Sequence, residues 1–207
     1  MEAEAKAILD RFGVSRETGE RLDAYVQLLL AWQQRINLIG PTTTGAVWER
    51  HILDSLQLLP LLPAGTRMIA ELGSGAGLPG LVLSIATGLP AHLYESNGKK
   101  AAFLREAIRQ TQAKAQVHVV RLETLRTATD VPDVDCVVAR ALAPLPLLLD
   151  YAEPFLSRGA IGLFHKGQDV DAELIEAAKY WKMDYKKHPS QCGQRGVILE
   201  VREAFRV

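Results

Sequence analysis

The order of apolar runs predicts a Rossmann-like α/β fold: a seven-stranded, mostly parallel sheet with one antiparallel strand, behind an N-terminal helical extension. Three observations predict it. Strand-like and helix-like runs alternate from residue 66 to the end of the 207-residue chain, the pattern of a parallel sheet covered by helices on both faces. A glycine-rich turn joins the first strand run to the first helix run of that series. The last two strand runs are separated only by Pro189 to Arg195, too short for a parallel crossover, so they pair as an antiparallel hairpin.

In chain order, residues 1–64 read as the extension and 65–207 as the sheet domain. Ile8, Leu9 and Phe12 mark a short amphipathic helix. Ser15 is placed to cap a second, with Leu22, Tyr25, Val26, Leu29, Trp32 and Ile36 at helical spacing. A polar loop after Asn37 leads to a third helix, Val47 to Leu59, with Trp48, Ile52, Leu56 and Leu59 on its apolar side and Pro60 and Pro63 closing it. Strands are expected at 67–72, 91–95, 116–121, 134–139, 159–165, 181–188 and 196–202, and helices near 79–87, 98–112, 145–157 and 169–179. The apolar fraction of 48% supports a core for this plan.

Composition narrows the function. Lys plus Arg and Asp plus Glu both number 24, so any nucleic-acid contact must be local, without an overall basic footprint. No apolar run approaches the roughly 20 residues of a membrane span, and the acidic, helix-prone start is unlike a leader peptide. Cys136 sits in a buried-strand pattern and Cys192 in a loop, which fits neither a disulfide framework nor a metal site and points to a reducing, cytoplasmic setting.

The chemistry concentrates in Glu71-Leu72-Gly73-Ser74-Gly75-Ala76-Gly77-Leu78-Pro79-Gly80. Glycines let the backbone approach a ligand closely, and the helix start that follows offers free N–H groups. Gly75 to Gly80 also fits G-x-G-x-x-G, the dinucleotide fingerprint, so a nicotinamide cofactor is one reading. Three features favour S-adenosylmethionine. Gly73 extends the pattern to acid-x-G-x-G-x-G, that of class I methyltransferases. The carboxylate of Glu71 suits an ammonium and sulfonium and repels a pyrophosphate. Pro79 fits a first helical turn. One unit later, Glu95 ends a strand about 20 residues beyond the glycines, where a ribose-diol partner is expected. Asn97-Gly98-Lys99-Lys100 then opens a helix. Arg50, His51 and Asp54, three or four residues apart, are placed to share one helix face, as a surface ion pair or as part of a site.

Taken together, Asn37-Leu38, Arg50-His51-x-x-Asp54-Ser55, Gly73-x-Gly75-x-Gly77-Leu78-Pro79-Gly80, Lys99-Lys100-x-x-Phe103-Leu104, Arg140-Ala141-x-Ala143-x-Leu145 and Lys166-Gly167 resemble the bacterial small-subunit ribosomal RNA guanine-N7 methyltransferases, also called the glucose-inhibited division protein B family. The resemblance runs in order over nearly the whole chain. It departs where Glu71 replaces a common Asp and where the second acid sits in Tyr-Glu-Ser-Asn-Gly. It implies a class I fold and transfer of a methyl group from S-adenosylmethionine to N7 of one guanine, in 16S rRNA or an assembling 30S subunit; beside it, nothing in the sequence calls for a metal or for more than a monomer. Guanine N7 carries a lone pair and no proton, so no general base is needed. The chain indeed lacks both the Asn/Asp-Pro-Pro-Tyr/Phe motif and the paired cysteines of other methyltransferase classes.

On this reading the cofactor-binding residues are Glu71, Gly73, Ser74, Gly75, Gly77, Leu78, Glu95, Ser96, Leu122, Glu123 and Arg140. Arg140, Lys166, Asn37 and His51 are the catalytic or acceptor-side candidates. Arg140 ends the fourth strand and suits a phosphate or guanine O6 by a fork contact. Lys166 and Arg195 suit RNA phosphate, and His51 suits ordering of the helical cap. The rival classes are an NAD-dependent oxidoreductase, a small-molecule methyltransferase and a non-catalytic RNA-binding factor.

Overall fold

The computed structural model describes residues 3–192 and 196–207, so Arg195 lies outside the described residues. Its centre is a seven-stranded sheet in the order β3-β2-β1-β4-β5-β7-β6. The strands are β1 (Ile69–Leu72), β2 (Ala91–Tyr94), β3 (Ala115–His118), β4 (Cys136–Arg140), β5 (Ile161–Lys166), β6 (Trp181–Pro189) and β7 (Val197–Arg206). The first five run parallel. Only β7 runs opposite to the other strands, wedged between β5 and β6 and antiparallel to both. The chain reverses its winding where β1 pairs with both β2 and β4. That is the switch point at which sheets of this kind open a crevice beyond their carboxyl ends.

Two cores flank the sheet. One face is covered by α1 (Ala3–Arg11), α2 (Arg16–Gln33), a short α3 (Asp54–Leu56), α4 (Gly80–Thr87) and α5 (Gly98–Thr111), with Leu22, Tyr25, Leu29, Leu81 and Phe103 fully enclosed. The other face is covered by α6 (Leu145–Leu156) and α7 (Val170–Ala177), around Phe155 and Phe164. The extension therefore shares its core with the sheet domain. Ser15 caps α2 by accepting from the Thr18 N–H at 3.2 Å, and Asn97 caps α5 by accepting from Lys99 and Lys100. The Tyr25 hydroxyl donates to Ala76 O at 2.7 Å, tying α2 to the glycine turn.

Three expectations are corrected. The third strand stops at His118, three residues early. Pro79, joined to Leu78 by a cis peptide bond, stands at the N-cap of α4 and not within its first turn. The expected single helix from Val47 to Leu59 is a π-helical turn (Trp48–Leu53), α3 and a last 3₁₀ turn (Leu59–Leu61), and the polar loop before it holds a 3₁₀ turn (Pro41–Ala46). The π turn widens the spiral, so residues four apart no longer stack; such turns are frequent at functional sites.

Candidate functional site

Among the described residues, three cavities open at the carboxyl ends of β1 to β5 and all share Ala141; the third, about 360 Å³, lies between Ala139, Leu148 and Glu173, and the other two flank it. The first, about 360 Å³, is lined by Gly73, Gly75, Tyr94, Glu95, Ser96, Leu122, Glu123, Leu142 and Tyr151 among others. The second, about 460 Å³, lies between the extension and β4–β5; its walls include Thr43, Arg50, His51, Asp54, Arg140, His165 and Lys166. Ala141 lines both and holds a left-handed φ of 51°, a conformation that costs a residue with a Cβ about 1 kcal/mol or more.

Six of the expected cofactor residues converge on the first cavity: Gly73, Gly75, Glu95, Ser96, Leu122 and Glu123. Glu95 is 8% exposed. Its carboxylate accepts from the Gly75 N–H at 2.8 Å and the Asn97 N–H at 2.7 Å, so each oxygen keeps a lone pair for a hydroxyl. An added Cβ at Gly75 meets nothing nearer than Gly73 O at 3.9 Å, leaving open room over the turn. An acid beside that room, with apolar walls from Leu122, Tyr94 and Leu142, is a donor set that fits the ribose and adenine of S-adenosylmethionine.

The other expected cofactor residues lie elsewhere. Gly77 faces inward, where a Cβ would come within 2.7 Å of Leu81 Cβ. Ser74 and Leu78 are buried beneath the turn, and Arg140 lines the second cavity. Glu71 is 1% exposed and turns under the loop, where it accepts from the Gly80 N–H at 2.8 Å. Gly80 is required by this contact, because a Cβ there would stand 2.6 Å from Glu71 Cβ. The expectation that Glu71 presents a bare carboxylate to the ligand is therefore corrected to one of a buried anchor for the start of α4. Its Oε2 has no partner.

Burial pushes the Glu71 carboxyl up to about 8, against the opposing pull of the Gly80 N–H. A carboxyl raised in the fold favours folding most when protonated. Its contribution is full below its ordinary value of 4.5 and is lost as pH rises through about 8. Glu71→Gln keeps an acceptor for Gly80 and removes the titration. Denaturant unfolding across that window should show the wild type losing more stability than Glu71→Gln; parallel curves would mean that Glu71 is ionised throughout.

In the second cavity, Arg140 and His165 are register partners on β4 and β5, and Asp54 sits against both. Arg140 donates to Asp54 Oδ2 at 2.9 Å, to His51 Nδ1 at 3.0 Å and to Arg50 O at 3.4 Å. His165 Nε2 donates to Asp54 O at 2.8 Å. The other Asp54 oxygen accepts from Gln57 Nε2 at 2.7 Å, and Gln57 Oε1 accepts from the Gln191 N–H at 2.8 Å. Ser55 is buried and donates to His51 O at 2.7 Å. Arg50-His51-x-x-Asp54-Ser55 is thus a clamp on Arg140, and the partner of Asp54 is Arg140, not the Arg50 expected from spacing.

His51 is held neutral, pushed down to about 4 by burial and by the Arg140 charge. Burial lowers His165 as well. Lys166, expected as a cation free for phosphate, is instead half-buried with a side chain only 7% exposed, paired with Glu173 and donating to Ala143 O at 3.1 Å. Glu173 also accepts from the Leu145 N–H at 2.6 Å, so this pair braces the turn that carries Ala141. Asn37 is exposed and lies outside both cavities. Its neighbours Leu38 and Ile39 are bound by the Gln33 side chain, a contact that sequence spacing did not flag. Thr43, His165, Ala141, Leu142 and Glu173 were likewise missed. Among the described residues no group of three or more His, Cys, Asp or Glu could hold a metal, and no helix is long and apolar enough to cross a membrane.

Comparison with known proteins bears on this geometry. A family model described as GidB, rRNA small subunit methyltransferase G, matches residues 18–196. A protein of that name from Rhodospirillum rubrum is 51% identical over 193 residues, covering 93% of this chain and 94% of the relative. One from a Bradyrhizobium species is 50% identical over 203 residues, covering 96% and 90%. Among solved structures, an O-methyltransferase from Bacillus cereus in complex with SAH superposes with a TM-score of 0.60 at 16% identity, covering 89% of this chain and 91% of that one.

Proposed function

From the premise that this chain belongs to the GidB family of small-subunit rRNA methyltransferases, we propose that the first two of its cavities divide methyl donor from methyl acceptor. The chain is an S-adenosylmethionine-dependent rRNA methyltransferase with a class I fold. The acceptor is N7 of a guanine in 16S rRNA, free or within the small subunit, and the reaction takes place in the cytoplasm. One chain holds both cavities, so a monomer suffices.

The observation that carries this division is the meeting of the two cavities at Ala141. When bound, S-adenosylmethionine supplies an electrophilic methyl on a sulfonium. Glu95 holds the ribose hydroxyls, Gly73 and Gly75 give the backbone close approach, and Leu122 with Tyr151 and Glu123 walls the adenine. On the acceptor side Arg140 orients the base. The acceptor nitrogen has no proton to lose, and His51, with both ring nitrogens engaged, has no lone pair left to act as a base. Rate enhancement on this reading comes from alignment and exclusion of water.

The test is transfer of labelled methyl from S-adenosylmethionine to naked small-subunit rRNA and to assembled small subunits, both from cells lacking this gene. Label in 7-methylguanosine at one position is the expected result, and the more active acceptor is the physiological one. Donor binding without label in either acceptor would overturn the reading.

A further inference from the structure

Arg140 acts on the acceptor only if its guanidinium is held in one place, and one of its three supports is a histidine whose tautomer is set from outside the motif. The Thr43 hydroxyl lies 2.7 Å from Gly40 O, which can only accept, so its single proton is spent there. His51 Nε2 lies 2.8 Å from the same hydroxyl oxygen and must therefore be the donor. Independently, Arg140 has only donors, so His51 Nδ1 must accept. Both ends demand one species, neutral imidazole with its proton on Nε2. A proton on Nδ1 would set N–H against N–H and push Arg140 aside.

We propose that Thr43 is a positioning residue for methyl transfer: by accepting the His51 Nε2 proton it fixes the tautomer that holds Arg140 against the acceptor. This rests on the methyltransferase reading and adds to it a residue that touches neither donor nor base. The link runs from the 3₁₀ turn Pro41–Ala46 through the π turn Trp48–Leu53 to the end of β4, joining the extension to the sheet by directional hydrogen bonds. The charged and titratable groups around His51 are Arg140 from β4, Asp54 and Arg50 from its own segment, His165 from β5 behind Asp54, and Cys192 from the β6–β7 loop on the same cavity wall. Burial and Arg140 both oppose a second proton on His51, so above about pH 5 the competition is between tautomers.

Thr43→Val keeps the shape of the side chain and removes the acceptor, whereas Thr43→Ser restores it. The first readout is the protonation pattern of the histidine ring nitrogens by NMR, with His51 assigned from the His51→Gln spectrum among the five histidines. Wild type and Thr43→Ser should show the Nε2-protonated form and Thr43→Val a loss of it. The second readout is transfer. Thr43→Val should lower kcat on small subunits about tenfold or more through misalignment, with the KM for S-adenosylmethionine unchanged, and Thr43→Ser should recover most of it. Donor affinity reports on folding of the variants, because Thr43 does not line the donor cavity. A Thr43→Val protein that keeps the Nε2 tautomer, or keeps full kcat after losing it, overturns the proposal. A wild type that binds donor and methylates no rRNA overturns the functional reading instead, and leaves the tautomer measurement standing on its own.

Discussion

Arg140→Ala is expected to cut methyl transfer to small subunits by roughly 100-fold or more while donor affinity stays within a few-fold, since a misplaced acceptor costs about that much. The reason lies in which cavity the side chain serves. Of the two cavities Arg140 lines only the proposed acceptor side, and its charge is paired with Asp54 at 2.9 Å. The three contacts to Asp54, His51 and Arg50 use NH1 and one proton of NH2, which leaves Nε–H and a second NH2 proton for a fork contact to a base edge or phosphate. On the proposed reading the contribution is orientation and not charge stabilisation. N7 attack makes the purine more positive, and a bare guanidinium beside it would oppose the reaction. Asp54 offsets that.

Removing Arg140 also strands a carboxylate that is only 14% exposed, a break that costs about 3 kcal/mol when such a pair is buried. Arg140→Lys separates the two effects. It keeps the charge for Asp54 and loses the planar fork, so it should recover stability without recovering transfer. Single-turnover rates and unfolding midpoints on both variants make the measurement. Transfer by Arg140→Ala at near the wild-type rate would remove Arg140 from the acceptor site.

Why Arg140 was legible in the sequence and its clamp was not is a matter of range. The glycine turn is readable because close packing and positive φ demand glycine at fixed offsets, and Glu95 because strand ends in this topology fall about one unit apart. The short connection between the last two strand runs likewise foretold their antiparallel pairing. The pairing of Asp54 with Arg140 is not legible in the sequence, because spacing arguments assume 3.6 residues per turn, and the Trp48–Leu53 segment is a π turn that no local pattern announces. His165 became meaningful only through its register with Arg140, a contact 25 residues away in sequence. Lys166 reads as a free cation in the sequence because its partner Glu173 lies on the next helix. Thr43 sits in a run of three threonines, each equally suited to a turn, and only the folded distance to His51 distinguishes it. Glu71 shows the converse: the residue type was right for a ligand, but the Gly80 N–H at the start of α4 claims it first.

Glu95→Ala should weaken S-adenosylmethionine binding by roughly 30- to 100-fold, the loss of charge-assisted hydrogen bonds to two hydroxyls at about 2–3 kcal/mol. The effect has two sources. The carboxylate is the only acid among the donor-cavity residues that also bonds to the glycine turn, through Gly75, and to the start of α5, through Asn97. Its loss therefore removes the proposed diol acceptor together with the contacts to Gly75 and Asn97. Glu95→Gln should be nearly as damaging, because whichever end carries the amide NH₂ faces a backbone N–H that now has a donor where it had an acceptor. Asn97→Ala provides the contrast. It removes the α5 cap, worth about 1 kcal/mol, while leaving Glu95 in place, so stability should fall with little change in donor affinity. Calorimetric titration of donor against the three variants discriminates the sources. A Glu95→Ala protein that binds S-adenosylmethionine as the wild type does would move the ribose contact to another residue. Equal affinity losses in Glu95→Ala and Asn97→Ala would show that loop order, and not the carboxylate, sets donor affinity.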